Sequence, residues 1–496
     1  MIVARWWTSF FTAVLLSGCV GQLRSDVPPT FYNARTSRPS AAEAAPHVIL
    51  RVYDRYAHRL DWSSFVRLSS DGETGIGLDD ALVDPSSLKM TRQAPLFSSD
   101  GTPGGDPAVD LQANPEALSL AWPSRLGYSD IIFALPQRSG TYDFNQLAAR
   151  QVLADVGASL AARSWYLPSK KFSTLYSDAK REYLQAQRTK SAARQGALFA
   201  QSLDAGTSAE MQLLTEAGIA YASTHRDTIE WGATFDTIAG GTRDLRTARD
   251  LYPKDGWLRI CFDPGERPQY YTAEIDRAHE LGLRVVGQIL DSSEMRRWSV
   301  DAFERRTREY VDALPGVDEW ETGNEVNGSW LGSISSVVAK TAFASKYVKE
   351  HTRARVLVTL YWELGEGRPE NALFNWAAEH MTSFVADVDD VGISLYPRQN
   401  PMGEPFDRVV SLVHAAFPRA RVVITELDYD RGKGWWWGSR DSISPKGRDA
   451  VAATYQSAIV GYPYSGGGTF WWYFVEEVNR GNPLYRTLQA VYRSSL

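Results

Sequence analysis

From about Thr228 to the C-terminus, short apolar runs recur at intervals of roughly thirty to forty-five residues, each followed by an amphipathic helical segment. No other feature of the chain restricts its fold as much. β-Branched runs too short for a helix, alternating with helical stretches, need a parallel sheet whose crossovers cover it. The spacing predicts strands at Ile229–Phe235, Trp257–Phe262, Arg284–Leu290, Glu319–Asn324, Arg355–Leu360, Val391–Leu395, Arg421–Thr425 and Thr469–Tyr473. Ile219–Ser223 competes for the first place. Helices fit between the strands, among them Thr272–Leu281, Val300–Leu314, Asn371–Phe384 and Arg448–Val460. Eight strands in about 260 residues match a (β/α)8 barrel in count and length. An open doubly wound sheet is disfavoured because no glycine-rich phosphate loop follows any strand. Gly466-Gly467-Gly468 precedes one instead and suits a tight turn at the bottom of the barrel.

In such a barrel the chemistry sits where strands become loops at the C-terminal face. Trp320-Glu321-Thr322-Gly323-Asn324-Glu325-Val326-Asn327 places Glu325 at that position on the fourth strand, beside Asn324. Val422-Val423-Ile424-Thr425-Glu426 does the same with Glu426 on the seventh. Two carboxylates closing two separate buried strands are the equipment for breaking a glycosidic bond. Glu321 lies four residues before Glu325 and should point into the barrel interior as a brace. Asp428 falls in the loop after Glu426 and is a candidate substrate contact. Trp435-Trp436-Trp437, flanked by Gly434 and Gly438, suits a wall on which sugars stack, with Trp436 at its centre.

These residues resemble clan A of the glycoside hydrolases, the retaining (β/α)8 enzymes that include cellulase, β-mannanase and β-xylosidase families. The resemblance covers about Thr228 to Leu496. It implies that Glu325, preceded by Asn324, is the acid/base and that Glu426 is the nucleophile. It also implies that Arg259 on the second strand lies near the nucleophile and that Tyr396 after the sixth hydrogen-bonds it. Trp471 or Trp472 would close the eighth strand at the sugar subsite. Two departures stand out. Val326 follows the acid/base where many members have Pro, and Asp291-Ser292-Ser293 ends the third strand where a His-rich segment is common. The expected electrostatics follow: Arg259 holds the Glu426 pKa low, while Glu325 stays protonated between Trp residues.

Upstream, the chain divides into further segments. Residues 1–18 read as a signal peptide: Arg5, then an apolar run from Trp6 to Leu16, too short to span a bilayer. Leu16-Ser17-Gly18-Cys19 resembles a bacterial lipobox, which implies lipidation of Cys19 and export to a bacterial membrane, the outer one if the source is Gram-negative. Residues 19–46, rich in Pro, Ser and Ala, read as a flexible tether. Residues 47–168 read as a β-rich accessory domain, residues 169–227 as a helical connector, and residues 228–496 as the barrel.

The mild net charge of −6, with no long basic run, argues against nucleic acid as a partner. Besides Cys19 the only cysteine is Cys261, so with Cys19 acylated no disulfide remains to support the fold. There is no His-Glu-x-x-His, cysteine cluster, Gly-x-Ser-x-Gly elbow or Walker loop, so metalloprotease, zinc-site, α/β-hydrolase and P-loop readings fail and the expectation is no metal and no cofactor. A monomer is expected. The sequence thus predicts a retaining hydrolase of β-linked glycans. Its rivals are a non-catalytic, surface-tethered carbohydrate-binding protein and a transglycosylase acting on exopolysaccharide.

Overall fold

The computed structural model describes residues 45–496 apart from 70–79, 113–114, 125–126, 226–227, 237–240, 255, 365–367, 398–399 and 430–444. Cys19, the tether and the Trp435–Trp437 run therefore lie outside the described residues. Residues Pro46–Leu496 form one compact unit.

Eight parallel strands close into a barrel: β1 (Glu230–Phe235), β2 (Gly256–Cys261), β3 (Arg284–Gln288), β4 (Glu319–Gly323), β5 (Arg355–Tyr361), β6 (Asp390–Leu395), β7 (Arg421–Leu427) and β8 (Ser465–Trp471). Each coincides with an apolar run of the sequence to within a few residues. Ile219–Ser223 is not a strand; most of it is the end of a long helix. The three glycines before the eighth strand do not make a turn. They lie inside β8, where the register against β7 shifts. Gly467 and Gly468 have φ of +81° and +84°, and a Cβ on either would come within 2.6 Å of a neighbouring strand's carbonyl oxygen. The backbone there needs glycine for both conformation and space.

The barrel interior is layered. At its lower end Glu230, Glu319 and Asp390 meet Arg355 and Arg421, with Arg355 on Glu319 at 2.7 Å and Arg421 on Asp390 at 2.8 Å. Both arginines also pair with Glu230. Above that belt, Trp257, Val286, Leu357, Val423 and Phe470 fill an apolar layer. The polar mouth sits on top of it.

Before the barrel, the chain forms two antiparallel-dominated sheets and three long helices, α1 (Phe144–Ala162), α2 (Lys170–Arg188) and α3 (Ala192–Ala222). Serine or aspartate caps all three: Asp143, Ser169 and Ser191 each accept from a backbone N–H of the first turn. The helices do more than connect. Phe144, Val152, Phe172, Leu203 and Leu213 share one core with Leu118, Leu120 and Phe133 of the sheet. That four-stranded sheet alternates faces with period two. Leu82, Leu118, Leu120 and Phe133 turn to the helices, while Ala81, Val83, Ala117 and Ile132 join the barrel's core. Polar contacts reinforce this seam. Asn375 exchanges two hydrogen bonds with the Met90 backbone, and Arg163, which caps the C-terminus of α1, pairs with Asp407 at 2.5 Å.

Candidate active site

The ends of β2, β3, β4, β6 and β7 bring one hydrogen-bonded group together at the barrel mouth. Arg259, fully buried, donates from Nε to Glu321 Oε2 at 2.7 Å and from Nη2 to Glu321 Oε1 at 3.0 Å and Glu426 Oε1 at 2.7 Å. Asn324 Nδ2 donates to Glu426 Oε1 at 2.9 Å and to Glu321 Oε1 at 3.2 Å. Tyr396 donates its phenol proton to Glu426 Oε2 at 2.7 Å. Glu321 also accepts from Thr359 Oγ1 at 2.6 Å, so it anchors Arg259 from the interior and is shielded from the mouth.

Glu325 faces Glu426 across this group. Its backbone has φ of +50°, in the left-handed region that is uncommon outside glycine. That turn, just after the register shift in β4, redirects the side chain from the strand's alternation toward β6 and β3. There Ser292 Oγ donates to Glu325 Oε2 at 2.6 Å and Ser394 Oγ to Oε1 at 2.6 Å. Ser394 Oγ also lies 3.2 Å from Glu426 Oε2. One hydroxyl touching both carboxyl groups holds their facing oxygens within about 6 Å of each other.

Burial raises the Glu325 carboxyl well above the usual range, the charge of Glu426 raises it further, and the two serine hydroxyls pull it part of the way back. Burial also raises Glu426. Arg259 opposes that rise most strongly, and Tyr396 adds to the opposition. The expectation that Arg259 would set the Glu426 pKa low therefore needs correcting: desolvation of a fully buried carboxyl outweighs one guanidinium that it shares with Glu321. The ordering of the pair is kept, because Glu325 has no cation of its own and takes up the first proton. Burial and the charge of Glu426 push the Tyr396 phenol well up, so it remains a donor.

The two tryptophans where β8 ends part company. The Trp472 ring sits 5.3 Å from the Arg259 guanidinium carbon, at the site. Trp471 points the other way into the outer core, with Nε1 donating to Glu477 at 3.1 Å. Trp471 is the last residue of β8 and is spent on the outer core, whereas Trp472, the first residue past the strand, reaches the mouth. Asp428 is buried beside the group, near enough to oppose ionisation of Tyr396. Trp436 lies outside the described residues. Ser292 and Ser394 were not singled out from sequence. The available signal was positional: Ser394 is two residues before Tyr396 on the same strand face, and Ser292 lies in the segment that replaces the expected His-rich one.

No protein-family model matches the chain, and no curated protein does. Among solved structures, the chain is similar to a family 1 β-glucosidase from Thermotoga maritima at 12% identity, covering 54% of this chain and 98% of that one, with a TM-score of 0.38. It is similar to a GH128 curdlan-specific exo-β-1,3-glucanase from Blastomyces gilchristii at 14% identity, covering 52% and 97%, with a TM-score of 0.34. A homocysteine methyltransferase from Escherichia coli matches at 13% identity over 56% and 99%, with a TM-score of 0.35. The fold is a (β/α)8 barrel, an architecture that many chemistries share.

Proposed function

We propose that this protein is a retaining glycoside hydrolase that cleaves β-linked poly- or oligosaccharide by double displacement. The observation that carries the reading is the single Ser394 hydroxyl in contact with both Glu325 and Glu426. Retaining enzymes keep their two carboxyl groups about 5–5.5 Å apart, whereas inverting ones need about 6.5–9.5 Å to admit water. In this scheme Glu325 protonates the glycosidic oxygen as Glu426 attacks the anomeric carbon, forming a glycosyl-enzyme ester and releasing the aglycone alcohol. Glu325, now ionised, takes a proton from water, which attacks the same carbon and expels Glu426. Serine hydroxyls can donate or accept, so Ser292 and Ser394 can satisfy Glu325 in both protonation states. Arg259, Asn324 and Tyr396 orient Glu426. Trp472 offers the sugar an apolar face, and Asp428 is a further candidate contact. The proposal includes export and a lipid anchor at Cys19, which rest on the Leu16–Cys19 motif alone.

The test is incubation of the protein and its Glu426→Gln variant with a panel of β-linked glycans, followed by reducing-end release and NMR of the first-formed anomer. Retained configuration with the wild type and loss of turnover in the variant are expected. Inverted product, or near-normal rates in the variant, would remove the scheme. Binding to glycans without new ends would make the protein a carbohydrate-binding module.

A further inference from the structure

Helix α2 has an outward face unlike the rest of the surface. Phe172, Ala179 and Ala186 bury its inner side against α3. On the opposite side, at i, i+3, i+4 and i+7 spacing, Ser177, Lys180, Arg181, Leu184 and Arg188 are exposed. Residues 170–194 contain seven Lys and Arg (170, 171, 180, 181, 188, 190 and 194) and two carboxylates, Asp178 and Glu182, a local excess of +5 in a chain of net −6. Both carboxylates are engaged by Arg181, at 2.5 and 2.9 Å. The other cations form no salt bridge shown among the described residues. Large apolar side chains are exposed on α2 and in the turn that precedes it: Leu184 at 51% on the helix, and Trp165 at 52% and Leu167 at 88% before it. They are half of the exposed large hydrophobics among the described residues.

We propose that this face docks on an anionic lipid surface, with the Trp165–Leu167 turn entering the headgroup layer and the α2 cations lying over it. Cations beside a half-exposed indole and a bare leucine are the composition of an interfacial helix. A glycan uses aromatic faces and hydrogen bonds, and has no use for Leu167 or Leu184. Charge complementarity between the α2 cations and an anionic headgroup layer selects this occupant. The hydrolase proposal is not needed for it.

The full chain with Cys19→Ser and Leu167→Cys is labelled with NBD at residue 167 and mixed with vesicles of phosphatidylcholine alone or containing phosphatidylglycerol. Cys261 is a poor competitor for the label because burial raises its thiol pKa well above normal. The N-terminus can carry the protein to any vesicle, but the label reports only its own position. The expected result is a blue-shifted, severalfold brighter emission on the anionic vesicles alone, reversed by salt and lost in Lys170→Glu/Lys180→Glu/Arg188→Glu. No response, or equal responses to the two vesicle types, overturns the proposal. A response to dissolved alginate with none to anionic vesicles overturns it as well and reassigns the face to acidic glycans.

Discussion

Removing the Ser292 hydroxyl tests the site's electrostatics selectively. In Ser292→Ala the backbone N–H still donates to Asn324 Oδ1 at 2.9 Å, so Asn324 keeps its hold on Glu426. What disappears is the 2.6 Å hydrogen bond to Glu325 Oε2. A hydrogen bond to a charged group is worth about 1.5–3 kcal/mol, and one pKa unit corresponds to about 1.4 kcal/mol. The lost donor favoured the ionised carboxyl, so the Glu325 pKa should climb by roughly one to two units from an already raised value. The proposed acid form then persists to higher pH. The alkaline limb of kcat/KM on an aryl β-glycoside should move up by that amount while the acid limb, assigned to Glu426, stays. Carboxyl 13C titration without substrate gives the same shift independently of turnover. Ser394→Ala, by contrast, should move both limbs, because its hydroxyl touches both carboxyls. An alkaline limb that stays or falls in Ser292→Ala would refute the reasoning.

Other variants probe the frame. Arg259→Met leaves Glu321 and Glu426 buried without their cation and should destabilise by about 3–5 kcal/mol in urea unfolding. Adding Glu321→Gln should recover part of that, and no recovery would deny the coupling. Gly218→Ala puts a Cβ 1.8 Å from the Ser457 carbonyl oxygen where α3 crosses the helix Pro445–Ile459, a clash with backbone on both sides. A loss of at least about 2 kcal/mol is expected, whereas Gly104→Ala, with only a contact at 3.8 Å, should be silent. Stability should also depend on pH. Burial raises Glu210 on α3 from 4.5 to about 8, and Asp130 in the sheet from 3.8 to about 8. The folded state therefore holds protons that the unfolded chain has released, and their contribution, full below about 4, is lost as pH rises through about 8. The melting temperature should fall from pH 6 to 9, with a shallower slope in Glu210→Gln/Asp130→Asn. An unchanged slope would count against it.

The barrel was legible because its determinants are local. A β-branched run such as Val422–Ile424 cannot be a long helix, and eight of them with amphipathic segments between leave few architectures. The strand-end positions of Glu325 and Glu426, with Asn324, Arg259 and Tyr396, were legible too, since strand rank and order are written along the chain. Facing is a different matter. Whether Trp471 or Trp472 reaches the mouth depends on the register of β8, which the positive-φ glycines Gly467 and Gly468 shift. Ser292 and Ser394 are ordinary serines until barrel closure brings the loop after β3 and the end of β6 to the mouth where Glu325 stands. Helices α2 and α3 read as a connector in sequence, because nothing local shows that Phe172 and Leu203 will meet Phe133. Pattern along the chain decides which elements form and where their ends lie, because period and length act over a few residues. Closing the barrel decides which side chains share a proton or a charge, because those contacts join residues as far apart as Arg259 and Glu426.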